Sequence, residues 1–319
     1  MPDLTLSETR CPAAGRPVHD PYHGRVRMVL VCCFLNEERY LPAFLKSILG
    51  QVRRPDRLVL VDDGSTDASS QLAAAFAAEH DFALLLQRPC RPQDHDRLAH
   101  AAELRAFHWA MSFVDEPFDL IGKVDADLCL TPQTLSHLQR RVGDEPQLGI
   151  LGPCLSEVAP DGRQLRDEAP PRHVRGALKL YRRACFEQVE PIPEILGWDT
   201  IDEIAARMHG WQTRSEAIPD GDPLHLRPTG TQDGTVRAFR RWGECAWGFG
   251  AHPLHVLFGA ARRLPERPRV IGALNYVAGW AQAGLRRAPR ADADVRAFCR
   301  HEQLVRIRRL LRSSRSATA

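Results

Sequence analysis

Leu120-Ile121-Gly122-Lys123-Val124-Asp125-Ala126-Asp127 is an apolar run of strand length that ends in two carboxylates. On a strand end, residues i and i+2 project the same way, so Asp125 and Asp127 together make half of a site for a hard divalent cation. A second run, Arg57-Leu58-Val59-Leu60-Val61, leads straight into Asp62-Asp63-Gly64-Ser65-Thr66-Asp67, again a strand closed by acids and turn residues. In parallel α/β sheets the ligand crevice lies beyond the carboxyl ends of the strands, which is where both acidic groups fall. Acids after strands also cap helices and close Asx turns. For Asp67, which precedes the helix-like stretch from Ala68 to Glu79, the two readings weigh equally. The capping alternative has less force for Asp125 and Asp127, since Thr131 and Pro132 already supply the start of the next helix.

Outward from these two strands the chain alternates. Met28-Val29-Leu30-Val31-Cys32-Cys33-Phe34 reads as a first buried strand, and Leu41, Phe44, Leu45, Ile48 and Leu49 form the apolar stripe of a helix. A strand from Phe82 to Gln87 and a helix from His100 to Ser112 complete the first half, which gives α/β alternation around a mostly parallel sheet. Beyond it the pattern predicts a helix from Thr134 to Val142, a strand from Leu148 to Gly152 and a polar loop from Ser156 to Arg172. A strand from Gly176 to Tyr181, a helix from Asp199 to His209 stopped by Gly210, and a strand from Gln212 to Ile218 follow. Residues 1–24 read as a polar, Pro-containing lead-in with no signal peptide or membrane span, 25–235 as the α/β domain split near 130, and 236–319 as a helical basic extension.

The 319 residues suffice for one large α/β domain or two small ones, and the net charge of +3 names no partner. Charge is nevertheless uneven, because the stretch beyond Ala251 carries 14 arginines against Glu266, Asp292, Asp294 and Glu302. The nine cysteines have no metal-binding spacing, and Cys32, Cys33, Cys129 and Cys154 sit in apolar runs where a thiol packs as a small hydrophobe, so a reducing cytoplasm is expected. Two apolar blocks, Trp242 to Ala261 and Val270 to Leu285, are marginal or short for a membrane span. Trp242, Trp247, Tyr276 and Trp280 beside arginine clusters fit helices at a membrane interface, and helices packed over the α/β core account for them equally well. The arginines come without a nucleic-acid-binding motif, so no nucleic acid is expected as a partner.

Four segments in this order, Val31-Cys32-Cys33-Phe34-Leu35-Asn36-Glu37, Val61-Asp62-Asp63-Gly64-Ser65-Thr66-Asp67, Lys123-Val124-Asp125-Ala126-Asp127 and Gly197-Trp198-Asp199-Thr200-Ile201-Asp202-Glu203, resemble the motifs of family 2 glycosyltransferases with the GT-A fold. The resemblance covers roughly residues 26 to 235 and extends to the bacterial subgroup that serves cell-surface polysaccharide assembly. It implies an inverting transfer from a nucleotide sugar, with a UDP- or dTDP-sugar as donor and a glycan or lipid-linked acceptor. The protein would then work in the cytoplasm, peripherally at the inner membrane face.

By that resemblance Phe34, Asn36 and Glu37 line the nucleoside pocket, and Asp62 or Asp63 accepts a hydrogen bond from the base. Asp125 meets ribose or sugar hydroxyls, and Asp127, with Asp125, holds Mg2+ or Mn2+ at the diphosphate. Asp199 is the implied base, with Asp202 and Glu203 as rivals. His225 is a further candidate metal ligand or phosphate contact, although a lone histidine is more often structural, and Arg227 beside it suits a phosphate. Gly176 would let backbone approach the sugar, with His173 and Arg175 as weaker companions. The Gln-x-x-Arg-Trp motif of processive synthases is absent, which favours addition of single sugars. A sugar-1-phosphate nucleotidyltransferase fits poorly because its glycine-rich loop has no counterpart at Cys32 to Glu38. The alternative from another class is a non-catalytic nucleotide-sugar-binding subunit of a membrane assembly.

Overall fold

A computed structural model describes residues 26–89, 96–158, 163–166, 170–227, 234–266 and 268–316. The lead-in expected over 1–24 lies outside them, as do parts of the polar loop between Ser156 and Arg172. Among the described residues two compact units emerge, the first drawn from 26–89, 103–158, 163–166, 170–188 and 210–227, the second from 96–102, 189–209, 234–266 and 268–316.

The first unit is built on a seven-stranded sheet. Its strands are β1 (Met28–Phe34), β2 (Arg57–Asp62), β3 (Ala83–Gln87), β4 (Leu120–Val124), β6 (Leu148–Pro153), β9 (Leu178–Arg182) and β10 (Gln212–Glu216), in the order β10-β6-β9-β4-β1-β2-β3. β1 runs parallel to β2 and β4, and β2 to β3, as the alternation predicts. One strand departs from it: β9 is antiparallel to both β4 and β6. Near-continuous apolar runs make β1 and β2 two-sided core strands, β4 is buried throughout despite Gly122 and Lys123, and α1 (Leu41–Leu49) buries Leu41, Phe44, Leu45 and Ile48 against the core. Close approach is required at Gly152 in β6, where a Cβ would collide with the Leu178 carbonyl.

A small second sheet was not legible beforehand. β5 (Leu128–Cys129), β7 (Ser156–Val158), β8 (Gln164–Arg166) and β11 (Leu224–His225) join in the order β5-β11-β7-β8. β11 pairs antiparallel with β5 and parallel with β7, which sets His225 opposite Leu128 on one side and Glu157 on the other. Burial pushes the Cys32 and Cys33 thiols well up, as expected of packed small hydrophobes, whereas Cys129 is disulfide-bonded and departs from that reading.

In the second unit, α6 (Trp198–Met208) starts after Gly197, whose φ of 84° strains any side chain and whose Cβ would sit tightly, 3.0 Å from Cys245. Arg207 of α6 pairs with Glu302 of α10 (Ala293–Ser316) at 3.1 Å. The first apolar block is not one helix but two, α7 (Thr235–Gly248) and α8 (Pro253–Arg263), separated where Gly250 takes φ 73° and Pro253 opens the next helix. α9 (Arg269–Leu285) crosses α7 so closely that a Cβ on Gly243 would strike the Tyr276 carbonyl, and one on Gly279 the Arg240 carbonyl. Of the four aromatics weighed for an interface, three take part in this packing, Tyr276 buried and Trp247 and Trp280 meeting edge to face at 6.1 Å, while Trp242 is exposed. Among the described residues no helix is long and apolar enough to cross a membrane.

Candidate active site

The loops after β1 and β2 are tied to each other by the residues the sequence singled out. Asn36, with φ 55°, accepts a hydrogen bond from the Thr66 amide at 2.8 Å, and its own amide donates to Ser65 Oγ. The Glu37 amide donates to Ser69 Oγ at 2.7 Å, and the Glu38 amide to Asp67 Oδ2. Asp67 also accepts from the Ser69 amide, so it is a joint between the loops and a turn at the entry of α2 (Ser69–Glu79). Asp62 turns Oδ1 toward the Gly64 and Ser65 amides, while Asp63 pairs with Arg88 at 2.8 Å. Phe34 stands opposite Asp62 in the register, so these residues share one sheet edge.

At the end of β4, Asp125 and Asp127 point into a cluster assembled from four further segments. His225 Nε2 lies 3.2 Å from Asp127 Oδ1, and the register of β11 on β5 is what delivers it. Arg227 Nε lies 3.3 Å from Asp127 Oδ2, its guanidinium pairs with Glu37, and it stacks 5.1 Å over the Tyr40 ring. Glu157 on β7 stands 3.9 Å from His225 Nδ1 and 3.6 Å from Arg175. One ligand atom each from Asp125, Asp127 and His225 falls within 4.8 Å of the others. Two carboxylates and an imidazole are the donor types of a divalent-cation site, so the residues present fit Mg2+ or Mn2+.

Below this cluster is a lysine whose role the sequence reading did not assign. Lys123 is 3% exposed. Its ammonium contacts Asp125 at 2.5 Å and Glu103 at 2.6 Å, and donates to the Gly176 carbonyl at 2.6 Å, which matches its three protons. The Asp125 amide donates to the Ala177 carbonyl, so the Gly176–Ala177 backbone just before β9 holds the acidic turn through the Asp125 amide and the Lys123 ammonium. Gly176 thus contributes a carbonyl to the anchor of Asp125. The visible signal was a charge inside an apolar strand, two positions before an aspartate and therefore on its side. Glu103, from α3 (Ala102–Met111), gave no local signal.

Charge follows geometry. Burial alone would raise Asp125, but the Lys123 ammonium and the hydrogen bonds from Glu103 and Lys123 outweigh it and hold the carboxyl below its ordinary range. Burial, reinforced by the Asp125 charge against the pull of Lys123, pushes Glu103 up to about 8. Burial likewise raises Glu37 in spite of Arg227. For His225 burial opposes the proton, yet hydrogen bonds to Asp127 and Glu157 raise the imidazole to about 9.

His173, in the first unit, accepts from the Ser215 hydroxyl through its carbonyl, and the candidate bases lie in the second unit. Asp199 is in the first turn of α6 and half-buried, whereas Asp202 is 1% exposed and Glu203 is buried with Arg207 Nη1 3.7 Å away.

A mostly parallel α/β sheet with acids gathered beyond its carboxyl ends is the arrangement of the GT-A fold, and the family match that follows makes it a glycosyltransferase. Residues 29–188, half of the chain, match Glycosyl transferase family 2, and the chain belongs to that family. It is similar to undecaprenyl-phosphate 4-deoxy-4-formamido-L-arabinose transferase of Pectobacterium carotovorum subsp. carotovorum (strain PC1), 32% identical over 109 residues that make up 32% of this chain and 29% of that protein. The match therefore spans less than a third of that relative. In fold it is similar to a mannosyltransferase of Pyrobaculum calidifontis solved with GDP-Man and Mn2+, at TM-score 0.52 and 16% identity over 86% of this chain and 79% of that one. A second similar structure is GalNAc-T7 with UDP, GalNAc and Mn2+, at TM-score 0.51 and 11% identity over 83% of this chain and 56% of that one.

Proposed function

We propose that this glycosyltransferase is a divalent-metal-dependent, inverting enzyme that moves a sugar from a UDP- or dTDP-sugar to a glycan or lipid-linked acceptor of cell-surface polysaccharide assembly. It would act at the cytoplasmic membrane face. The observation that carries this reading is the convergence of Asp125, Asp127 and His225 beside Arg227, at the edge where Asp62, Asp63 and the Phe34–Glu37 segment end. Lipid-linked acceptors are suggested by the Pectobacterium relative, whose name specifies undecaprenyl phosphate.

Asp125, Asp127 and His225 would hold the ion, and the imidazole favours Mn2+ over Mg2+ in this set. When bound, such an ion neutralises charge developing on a leaving nucleoside diphosphate. The chain's own residues do the rest. Arg227, drawn toward Glu37 and Asp127, offers a forked cation to a phosphate oxygen. Phe34, Asn36, Glu37 and the Asp62-Asp63 pair frame the nucleoside, and Gly176 presents backbone rather than a side chain to the sugar. Lys123 keeps Asp125 oriented. Asp199 takes the proton of the acceptor hydroxyl, a role that its half-buried carboxyl suits better than the buried rivals Asp202 and Glu203.

The test is release of nucleoside diphosphate from a panel of UDP-, dTDP- and GDP-sugars, with Mn2+ or Mg2+ and membrane-extracted lipid acceptors. Turnover of one donor that needs metal and is lost in Asp199→Asn supports the proposal. Donor binding without turnover on any acceptor would refute it.

A further inference from the structure

The second unit leaves one helix face uncovered. α9 packs inward through Gly272, Ala273, Tyr276, Gly279 and Ala283, all buried. Its opposite stripe, Val270, Ile271, Leu274 and Leu285 with the small Ala278 and Ala281 between them, is exposed, and Leu274 and Leu285 reach 62% and 86%. No charged residue interrupts the helix after Arg269. α8 adds Leu254, Leu257 and Phe258 on its own exposed side, while Val256 faces the core and Gly259 lies against the Tyr276 ring. Scattered apolar residues on a surface need no explanation, but a chargeless stripe along a whole helix does.

The charges around the stripe point to its occupant. Exposed Arg262 and Arg269 lie at one end of α9, and exposed Arg286, Arg287 and Arg290 at the other, with Glu266 as the sole acid from α8 to the end of α9. Aliphatic side chains between flanking guanidinium groups are what a helix lying in a bilayer surface presents, the stripe among acyl chains and the arginines at anionic headgroups. A second copy of the chain is a poorer occupant, because a two-fold contact on this stripe would bring the arginines of one copy against those of the other. Nothing about the stripe supports insertion as a span.

We infer that the exposed face of α9, extended by α8, is a docking surface for an anionic lipid bilayer. The inference deepens the lipid-linked acceptor reading, since it holds the enzyme at the surface where such an acceptor resides. It identifies aliphatic α8 and α9 residues as the main contact.

The full chain is tested by co-sedimentation with vesicles of phosphatidylglycerol and phosphatidylcholine, and of phosphatidylcholine alone, at low and high salt. Wild type is expected to bind the anionic vesicles and to weaken as salt rises. Ile271→Glu with Leu274→Glu should lower vesicle affinity at least tenfold, and Arg286→Glu with Arg287→Glu should remove the preference for anionic lipid. Both variants should keep the wild-type melting temperature and wild-type donor hydrolysis in solution, which separates this inference from the transferase reading. Wild type that ignores both vesicles, binding that survives both variants, or a dimer in sedimentation velocity that Ile271→Glu with Leu274→Glu dissociates, would each overturn it.

Discussion

His225 Nε2 lies 3.2 Å from Asp127 Oδ1 although the two residues are 98 positions apart, and the two-residue strand β11 brings them together by pairing with β5. With Asp125 they make the one described cluster of metal-ligand type. Replacing Asp127 by Ala removes a carboxylate that both His225 and Arg227 engage, and metal-dependent turnover should fall about a hundredfold or more. His225→Gln keeps an acceptor but loses the imidazole, and should cost about tenfold with the larger share in the metal concentration needed for half activity. Steady-state rates across a Mn2+ titration check both.

Asp199→Asn keeps shape and removes the basic carboxylate. Transfer should drop about a hundredfold to ten-thousandfold while donor affinity stays within a factor of about two, the pattern of a lost general base. Asp202→Asn alters a buried residue and should lower the melting temperature first. A reversed outcome, with Asp202→Asn stable and inactive, would move the base to Asp202.

Lys123 stands between two carboxylates with little water. Lys123→Met leaves Asp125 and Glu103 facing each other and should destabilise the protein by about 2 to 3 kcal/mol, below a fully buried pair because Glu103 keeps some solvent. The double variant Lys123→Met with Glu103→Gln should lose less than the sum of the two single changes. Urea denaturation of all three reads the coupling.

The crossing of α7 and α9 depends on two glycines. Gly243→Ala and Gly279→Ala each place a methyl group against a backbone carbonyl of the facing helix and should cost about 1 to 3 kcal/mol. Thermal melting measures the loss, and donor hydrolysis at a temperature where both variants are folded should be little changed.

His137 supplies a pH dependence outside the metal cluster. Burial, helped by Arg140 and Arg141, holds its imidazole below the ordinary value of 6.5. The folded protein therefore binds this proton less readily than the unfolded chain, so the stability is present above pH 6.5 and is lost as the pH falls below it. His137→Gln should flatten that part of the melting curve measured against pH.

Much of the central sheet was legible because β1 and β2 announce themselves by near-continuous apolar runs and β4 by an apolar run broken only by Lys123, with Asp62 and Asp125 closing β2 and β4. The direction of β9 was not, since an antiparallel strand buried on both faces has the same composition as a parallel one. Strands of two residues such as β5 and β11 leave no periodicity, so His225 was legible as a candidate metal ligand only through the family resemblance, and nothing in its neighbourhood revealed the partner 98 positions away. Lys123 was readable in principle as a charge inside an apolar strand, whereas Glu103 reaches it only through tertiary folding. In the C-terminal region the apolar blocks were visible, but not which of their residues face inward: Tyr276 turned out to be buried and Leu274 exposed.

The most direct measurement of the central claim is Mn2+ binding, followed by electron paramagnetic resonance, to wild type and Asp127→Ala with and without UDP. One ion per chain, bound more tightly with UDP and lost in Asp127→Ala, is the predicted result. Equal binding by both proteins, or none by wild type in the presence of UDP, would contradict a metal-nucleotide site at Asp125, Asp127 and His225.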